Sequence, residues 1–361
     1  MNQRLEIRNL DCVYGARRTA AMTCGLLLAC ALGLEAFVTV PPQIEITNGQ
    51  IRVKLYLPDA RDGYYRGTRF DWSGVIGSLM YEGHEYYGPW FDRVDPAVHD
   101  YRYAGSEIIA STCSGVAGPA EEFQTRGTAL GWDEAKPSGT FIKIGVGVLR
   151  KDSGSYDFVK QYDIVDPGKW TVAQHKDSVE FTQEVADPSS SYGYIYQKTV
   201  RLVAGKPEMV LEHRLQNTGR RPIESAVYNH NFLVLDRQPI GPDFTITFPF
   251  AIQSPNPPDP RRAEIRGNRF LYLKLLQDED RVEAPLQGFS GSSKDNDILI
   301  ENRKAGAGLR MRGDHPLSHV NLWSIRTVLA VEPFITMMVE PGGQFSWEVS
   351  YEYSASTPSS Q

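Results

Sequence analysis

The stretch SAVYNHNFLVLD, residues 225–236, places one histidine between two asparagines in a run that otherwise resembles an apolar strand. An imidazole changes its charge near neutral pH, so His230 is a candidate general acid or base. Asparagine is depleted in strands, and buried amides need hydrogen-bond partners. Alternation with period two puts His230 on one face with Tyr228 and Phe232, and both asparagines on the other. On its own, a strand histidine is more often a satisfied core or surface group, and both interpretations stay open here.

Other motifs with chemical potential are weaker. His315 and His319 in DHPLSH are four residues apart, but a zinc site needs at least one more ligand and no HExxH motif is present. We expect a polar loop there and no metal. The glycine runs at 145–151 and 305–313 lack the strand–glycine–helix context of a nucleotide-binding fold. No GxSxG esterase elbow occurs, and we expect Cys113 to be an idle buried thiol. We therefore predict no cofactor.

The first 40 residues differ from the rest of the chain. Arg17 and Arg18 precede an uncharged apolar run over residues 19–34, which is shorter than the roughly 20 residues that cross a bilayer. These features are typical of a secretory signal peptide. The segment LLAC, which ends at Cys30, is also similar to a lipoprotein cleavage box, whose cysteine carries the lipid anchor. We predict an exported protein, periplasmic or extracellular, without a membrane span. A signal anchor or a misplaced start codon is the alternative.

Beyond residue 42 the chain consists of short alternating segments separated by glycine, proline, asparagine and aspartate. Many strands without helical crossovers predict an all-β protein whose antiparallel sheets pack as a sandwich. Residues 116–135 are the one candidate for a short helix. We predict a single β domain over residues 43–355 and a polar tail at 356–361. The clearest strand segments are residues 51–57, 139–149, 178–185, 192–203, 208–217, 243–250, 269–276 and 344–353.

The overall composition agrees with one large domain. The chain has 361 residues, is 41% hydrophobic and carries a net charge of −6. This supplies a sizeable core, and large all-β folds commonly run as one unit. No basic stripe is visible, so we do not expect nucleic acid as a partner. The sequence does not indicate an oligomeric state.

Three segments, in their order along the chain, resemble the aldose 1-epimerase (galactose mutarotase) superfamily. The segment TRFDWSGVIGSLMYEGHEYYG (68–88) is similar to its early part, where an arginine precedes a glycine-rich strand. A strand, NTGRRPI (217–223) and a return strand ending in NHNF (229–232) resemble the stretch that ends in an NH[ST]YF-type motif. The segment VLAVEPFITMMVEPGGQFSWEVSYEY (328–353) is similar to its closing part. Because the order is shared, the chain is identified as a divergent member.

This resemblance implies a large antiparallel β-supersandwich, galactose mutarotase-like, whose concave face binds a sugar or glycan. Position by position, His230 falls on the catalytic histidine, the general acid, and Glu332 falls on the catalytic glutamate, the general base. The two groups are expected on opposite sides of a pyranose-sized hollow. Arg69 matches loosely an arginine that contacts sugar hydroxyls. The further substrate-binding residues expected from the resemblance and the nearby aromatics are Asn229, Asn231, Trp323, Trp90, Glu122 and His99.

The chain departs from the family pattern at two points. The family usually has an earlier histidine in an HGG context, whereas this chain has GVAGPAEEF at 115–123, with two glutamates and no histidine. His99, in DPAVHD, is the candidate substitute. No match to the family's mid-chain aspartate is found.

Three functions follow from the resemblance. The leading hypothesis is an exported aldose 1-epimerase-like enzyme, an isomerase that opens and recloses a sugar ring by acid–base catalysis. The second is a carbohydrate-binding protein of the same fold without catalysis, which the missing histidine favours. The third is a polysaccharide-processing enzyme, but related enzymes of that kind normally carry an additional helical domain, for which this sequence has no room.

Overall fold

The computed structural model describes residues 4–6 and 40–356, so the predicted leader around Cys30 and most of the predicted tail lie outside the described residues. Within these ranges the chain forms 26 strands and two short 3-10 segments, at Leu235–Arg237 and Ser293–Asp295. No helix in the described ranges is long and apolar enough to cross a membrane.

The strands of the first half are β1 Arg4–Glu6, β2 Gln43–Thr47, β3 Ile51–Tyr56, β4 Val75–Tyr81, β5 His84–Tyr87, β6 Arg93–Val94, β7 Tyr101–Ala104, β8 Glu107–Ala110, β9 Gly118–Gln124, β10 Thr140–Lys143, β11 Gly147–Arg150, β12 Ile164–Asp166 and β13 Lys169–Gln174. Those of the second half are β14 Ser178–Asp187, β15 Tyr192–Leu202, β16 Glu208–Asn217, β17 Ile223–Phe232, β18 Phe244–Thr247, β19 Ala263–Arg266, β20 Arg269–Tyr272, β21 Arg281–Leu286, β22 Asp297–Asn302, β23 Ala307–Gly313, β24 His319–Ile325, β25 Val328–Val339 and β26 Gln344–Ala355.

Two sheets dominate the fold. The larger has eleven strands in the order β1-β13-β14-β15-β16-β26-β23-β22-β18-β20-β19, and the second has five in the order β21-β24-β25-β17-β9. Smaller sheets are β2-β3-β4-β5, β10-β11-β12 and β6-β8-β7. Every strand pair in the described residues is antiparallel except β6 with β8. The predicted all-β antiparallel architecture is therefore confirmed.

The structure corrects three local predictions. Residues 116–135 contain no helix and instead supply β9, because the carboxylates of GPAEEF face buried partners and not solvent. The alternating run 139–149 is not one strand, since Gly145 adopts a φ of +81° and turns the chain back between β10 and β11. The polar loop expected at DHPLSH ends before His319, which begins β24.

The main core lies between the two large sheets. Apolar residues from the five-stranded sheet, such as Leu322 and Val331, join one buried cluster with Leu309 of the eleven-stranded sheet. A polar contact crosses the same interface, because the Tyr351 hydroxyl on β26 donates to Asn231 Oδ1 on β17 at 2.9 Å. Asn231 is 1% exposed and holds the two sheets in a fixed relation, since its hydrogen-bond partners sit on both.

We predict that Asn231→Ala destabilises the protein by about 1–3 kcal/mol, because the buried Tyr351 hydroxyl then lacks its acceptor. Urea denaturation measures this change. Tyr351→Phe and the double variant complete a thermodynamic cycle, and we expect a coupling of at least about 0.5 kcal/mol between the two sites. Strictly additive single effects would show that the contact does not join the sheets.

Candidate functional site

The candidate site occupies the face of the five-stranded sheet that points away from the eleven-stranded sheet. Tyr228 on β17 pairs with Phe334 on β25, and the same register continues beyond it, so His230 stands opposite Glu332. Glu332 in turn pairs with Asn321 on β24. Directly opposed residues on one face have Cβ atoms about 5 Å apart. Strand register alone therefore brings the imidazole and the carboxyl together.

His230 and Glu332 are in direct contact. His230 Nε2 lies 3.0 Å from Glu332 Oε1, and each residue is 5% exposed. The other carboxyl oxygen of Glu332 accepts a hydrogen bond from Asn321 Nδ2 at 3.1 Å. The imidazole also stacks on Phe232, with ring centroids 3.8 Å apart. The pair is thus fixed on both sides by neighbours from the sheet.

Burial changes the proton affinity of both groups. It raises the pKa of Glu332 to about 7. Burial and, next, the positive charge of Arg69 lower the pKa of His230 well below its ordinary value. A single proton on this pair therefore resides mainly on the carboxyl, since the neutral imidazole and the neutral carboxyl are the forms that burial favours.

These observations differ from the expected arrangement in two respects. His230 and Glu332 lie side by side on one wall and not on opposite sides of a hollow. Burial also favours a neutral imidazole and a neutral carboxyl, whereas the expected general acid His230 and general base Glu332 require an imidazolium and a carboxylate. The physical reasons are the strand register, which makes them neighbours, and the burial of both side chains.

Both groups line an open cavity of about 550 Å³, which we call the His230 cavity. Its volume lies in the range of small-molecule sites. Arg69 and Trp323, both predicted as sugar contacts, line it as well. A larger cavity of about 1010 Å³ lies beside Trp90, but neither His230 nor Glu332 lines it. We assign the site by its chemistry and place it in the smaller cavity.

Arg69 reaches the His230 cavity from the loop between β3 and β4. Its guanidinium lies between the rings of Phe70 and Phe158, at 4.4 and 4.6 Å from their centroids. Its Nε donates to Glu122 Oε2 at 2.8 Å, and its Nη2 donates to the Tyr228 hydroxyl at 3.3 Å. A planar donor held in this way suits contacts with sugar hydroxyls.

The two asparagines that flank His230 do not face the cavity. Asn229 Nδ2 donates to Glu121 Oε1 at 2.8 Å on the opposite side of the sheet. Asn231 Nδ2 donates to the backbone oxygens of Asn229 and Val331, at 3.0 and 2.8 Å. Both amides are therefore structural partners in the interface between the sheets, because neighbours on a strand point to opposite faces.

Three further predicted contacts also lie outside the cavity wall. Trp90 is 3% exposed and packs behind Trp323, with ring centroids 5.8 Å apart. The His99 side chain is largely exposed, and its Nε2 lies 2.8 Å from Asp157 Oδ2. Glu122 is fully buried behind the wall. The structure thus brings together His230, Glu332, Arg69 and Trp323, and separates the other predicted residues from the cavity.

Several lining residues escaped the sequence analysis. His319 and Asn321 lie on the same face of β24 as Trp323, because alternate residues of a strand share a face. This period-two pattern could have identified them as lining residues from the sequence. Asp100 and Phe158 come from irregular segments for which no sequence pattern applies. In the described part of the chain, no group of three metal-ligating side chains is placed to hold a metal ion.

Comparison with solved structures identifies the fold. The Slr1438 protein from Synechocystis sp. PCC 6803 superposes with a TM-score of 0.50 at 12% identity, over 88% of this chain and 97% of that chain. A galactose mutarotase related enzyme from Lactobacillus acidophilus has a TM-score of 0.50 at 15% identity, over 87% and 98%. A GalM/aldose epimerase homologue from C. elegans has the same score and identity, over 88% and 100%. The sequence matches no family model and no curated protein. The chain has the galactose mutarotase-like fold that its sequence resemblance predicts.

Proposed function

We propose that this protein is an aldose 1-epimerase-like enzyme that interconverts the α and β anomers of a sugar. The observation that carries the proposal is the contact between His230 and Glu332 at the wall of a cavity large enough for a sugar. A buried carboxyl with a pKa near 7 beside an imidazole is suited to proton transfer at neutral pH. Trp323 and Arg69 supply an aromatic surface and a hydrogen-bond donor for the sugar.

The reaction needs two proton transfers at neighbouring atoms. The anomeric hydroxyl oxygen and the ring oxygen of a pyranose are bonded to the same carbon, so two groups side by side on one wall can serve both. His230 Nε2 takes the proton of the anomeric hydroxyl, Glu332 gives its proton to the ring oxygen, and the bond from the anomeric carbon to the ring oxygen breaks. The aldehyde rotates, and the reverse transfers reclose the ring on the other face. The pair holds one proton before and after the cycle.

We predict that purified protein accelerates the relaxation of optical rotation of α-glucose, α-galactose or another sugar in a broad panel. Glu332→Gln and His230→Asn are each expected to lower the catalysed rate by about 10²–10⁴-fold, because positioned acid–base catalysis contributes that much. Polarimetry on freshly dissolved α-anomers measures the effect.

Two exposed positions provide matched controls for these substitutions. Glu301→Gln on β22 and His175→Asn beyond β13 make the same chemical changes away from the His230 cavity, and we expect both to retain the wild-type rate. A wild-type protein that leaves every sugar's relaxation unchanged would refute the enzymatic proposal.

We also predict a bell-shaped dependence of kcat/KM on pH. The active pair carries one proton, so activity falls as the pH rises through about 7 and that proton leaves. On the acid side, activity falls only when His230 takes a second proton, well below the ordinary histidine pKa, because burial opposes this charge. Initial rates from pH 4 to 9 measure the profile. A rate that climbs through pH 7 to an alkaline plateau would contradict a one-proton pair.

The second candidate is a carbohydrate-binding protein of the same fold. The observation in its favour is the low exposure of the pair, since each residue is only 5% exposed. This candidate predicts that sugars raise the melting temperature without changing the relaxation of optical rotation. Both measurements on one sugar panel separate it from the enzyme.

Export is a further proposal, and it rests on the sequence of residues 1–40 alone. Cleavage of a leader would remove β1, which is an edge strand beside β13, and would leave all other pairings in place. N-terminal sequencing of protein expressed in a Gram-negative host with its own signal peptidases tests this, and an intact Met1 would contradict it. Cys30→Ala distinguishes lipidation, which requires the cysteine, from ordinary cleavage.

A further inference from the structure

The carboxylate of Glu122, behind the cavity wall, accepts hydrogen bonds from several side chains. The residue is fully buried on β9, and the structure gives this one side chain four hydrogen-bond donors. They are Arg69 Nε at 2.8 Å, the Tyr228 hydroxyl, Lys143 Nζ at 3.1 Å and Gln124 Nε2 at 3.3 Å. An ionised carboxylate has about four acceptor sites, so four donors saturate Glu122 and fix its orientation.

Three of the four donors line the His230 cavity. Arg69, Tyr228 and Gln124 all belong to its wall, whereas Glu122 itself does not. Tyr228 on β17 is paired directly with Glu122 on β9, whereas Arg69 comes from the loop between β3 and β4. The carboxylate therefore connects the sheet to the loop that brings the Arg69 guanidinium to the His230 cavity.

The charge balance explains why Glu122 is ionised. Burial alone would raise its pKa, but the cations of Lys143 and Arg69 hold the pKa of Glu122 at about 2. Lys143 is itself buried, and its Nζ also contacts the Tyr156 hydroxyl at 3.2 Å. In the described residues, Glu122 is the only carboxylate that forms a salt bridge with Arg69. Asp100 adds a longer-range negative charge near Arg69, and among the described residues Glu122 supplies the direct carboxylate contact.

We propose that Glu122 is a positioning residue that acts through Arg69 and Tyr228 and fixes the cavity wall beside the His230–Glu332 pair. The inference rests on the proposed function and goes beyond it, because Glu122 touches neither the sugar nor the pair. Glu122 holds the Arg69 guanidinium in place. The guanidinium then orients the sugar, and the positive charge of Arg69 stays at a constant distance from His230.

Glu122→Gln tests this inference in the full-length protein. We expect kcat/KM for mutarotation to fall on the order of 10²-fold, because small misplacements of orienting groups have effects of that size. We also expect the pKa of His230 to rise, since a displaced Arg69 no longer opposes its protonation. NMR titration of the histidine ring signals measures this, with His230→Asn used to assign the resonance, and this readout needs no enzymatic activity.

Glu121→Gln is the matched control. Glu121 is the adjacent residue on β9, is equally buried and also has its own lysine, Lys198. Its donors Lys198, His213 and Asn229 lie outside the wall of the His230 cavity. We expect this variant to lose stability but to keep the wild-type kcat/KM and the wild-type His230 titration.

A second variant guards against misfolding. Glu122→Gln leaves Lys143 buried without an ionised partner. We therefore include the double variant in which Glu122→Gln is combined with Lys143→Met, because it removes both charges. This double variant is expected to fold and to retain the loss in kcat/KM and the raised His230 pKa.

The outcomes separate the inference from the proposed function. The positioning role would be overturned by folded Glu122 variants whose kcat/KM is within twofold of that of Glu121→Gln and whose His230 pKa is the same as in Glu121→Gln. Failure of both Glu122 variants to fold would also overturn it, in favour of core support. Absence of mutarotation in the wild type would instead refute the enzymatic function, and the titration would still test the positioning.

Discussion

A carboxylate inside a packed protein has to be neutralised, and strand β9 carries two in succession. Because neighbours on a strand point to opposite faces, Glu121 enters the interface between the large sheets and Glu122 lies behind the cavity wall. Each has its own buried lysine, Lys198 and Lys143. Buried charges are costly unless their partners are held in good geometry. Strand β9 must therefore stay aligned with the eleven-stranded sheet, which carries Lys198, and with the small β10-β11-β12 sheet, which carries Lys143. The loop after β3 is attached to the same strand, because the Asp71 N–H donates to the Glu121 carbonyl at 2.9 Å.

The architecture and the central histidine could be predicted from the sequence because both follow from short-range patterns. Period-two alternation indicated the strands, and it correctly placed His230 on the face opposite its asparagines. The contact of His230 with Glu332 could not be predicted, since it depends on the register of strands about a hundred residues apart in sequence. The asparagines were misinterpreted because an amide in a strand fits a sugar contact and a sheet interface equally well. The face of the strand distinguishes the two, because alternation places both asparagines opposite His230, on the side that meets the eleven-stranded sheet.

The site combines two kinds of support. The sheet holds the His230–Glu332 pair, whose geometry follows from backbone pairing between β17 and β25. Loops supply Arg69, Asp100 and Phe158, which carry no periodic signal and line the same cavity. Under the proposed function, the chemical step and the choice of sugar can change separately, because substitutions in the loops leave the strand register intact. Glu122 is the exception, since it links the two supports through Arg69.

The cavity wall is assembled from segments that are far apart in the chain. Tyr228 and Glu122 are 106 residues apart, and β17 also pairs with β25, near the C-terminal end. Ordering such long loops costs entropy before any contact compensates for it, so folding of this topology is slow. During synthesis, β9 and β17 leave the ribosome before β25 exists, and the backbone edge of β17 that pairs with β25 is then without a partner. An unpaired strand edge favours aggregation, so the nascent chain is most exposed to it before the last strands have been made.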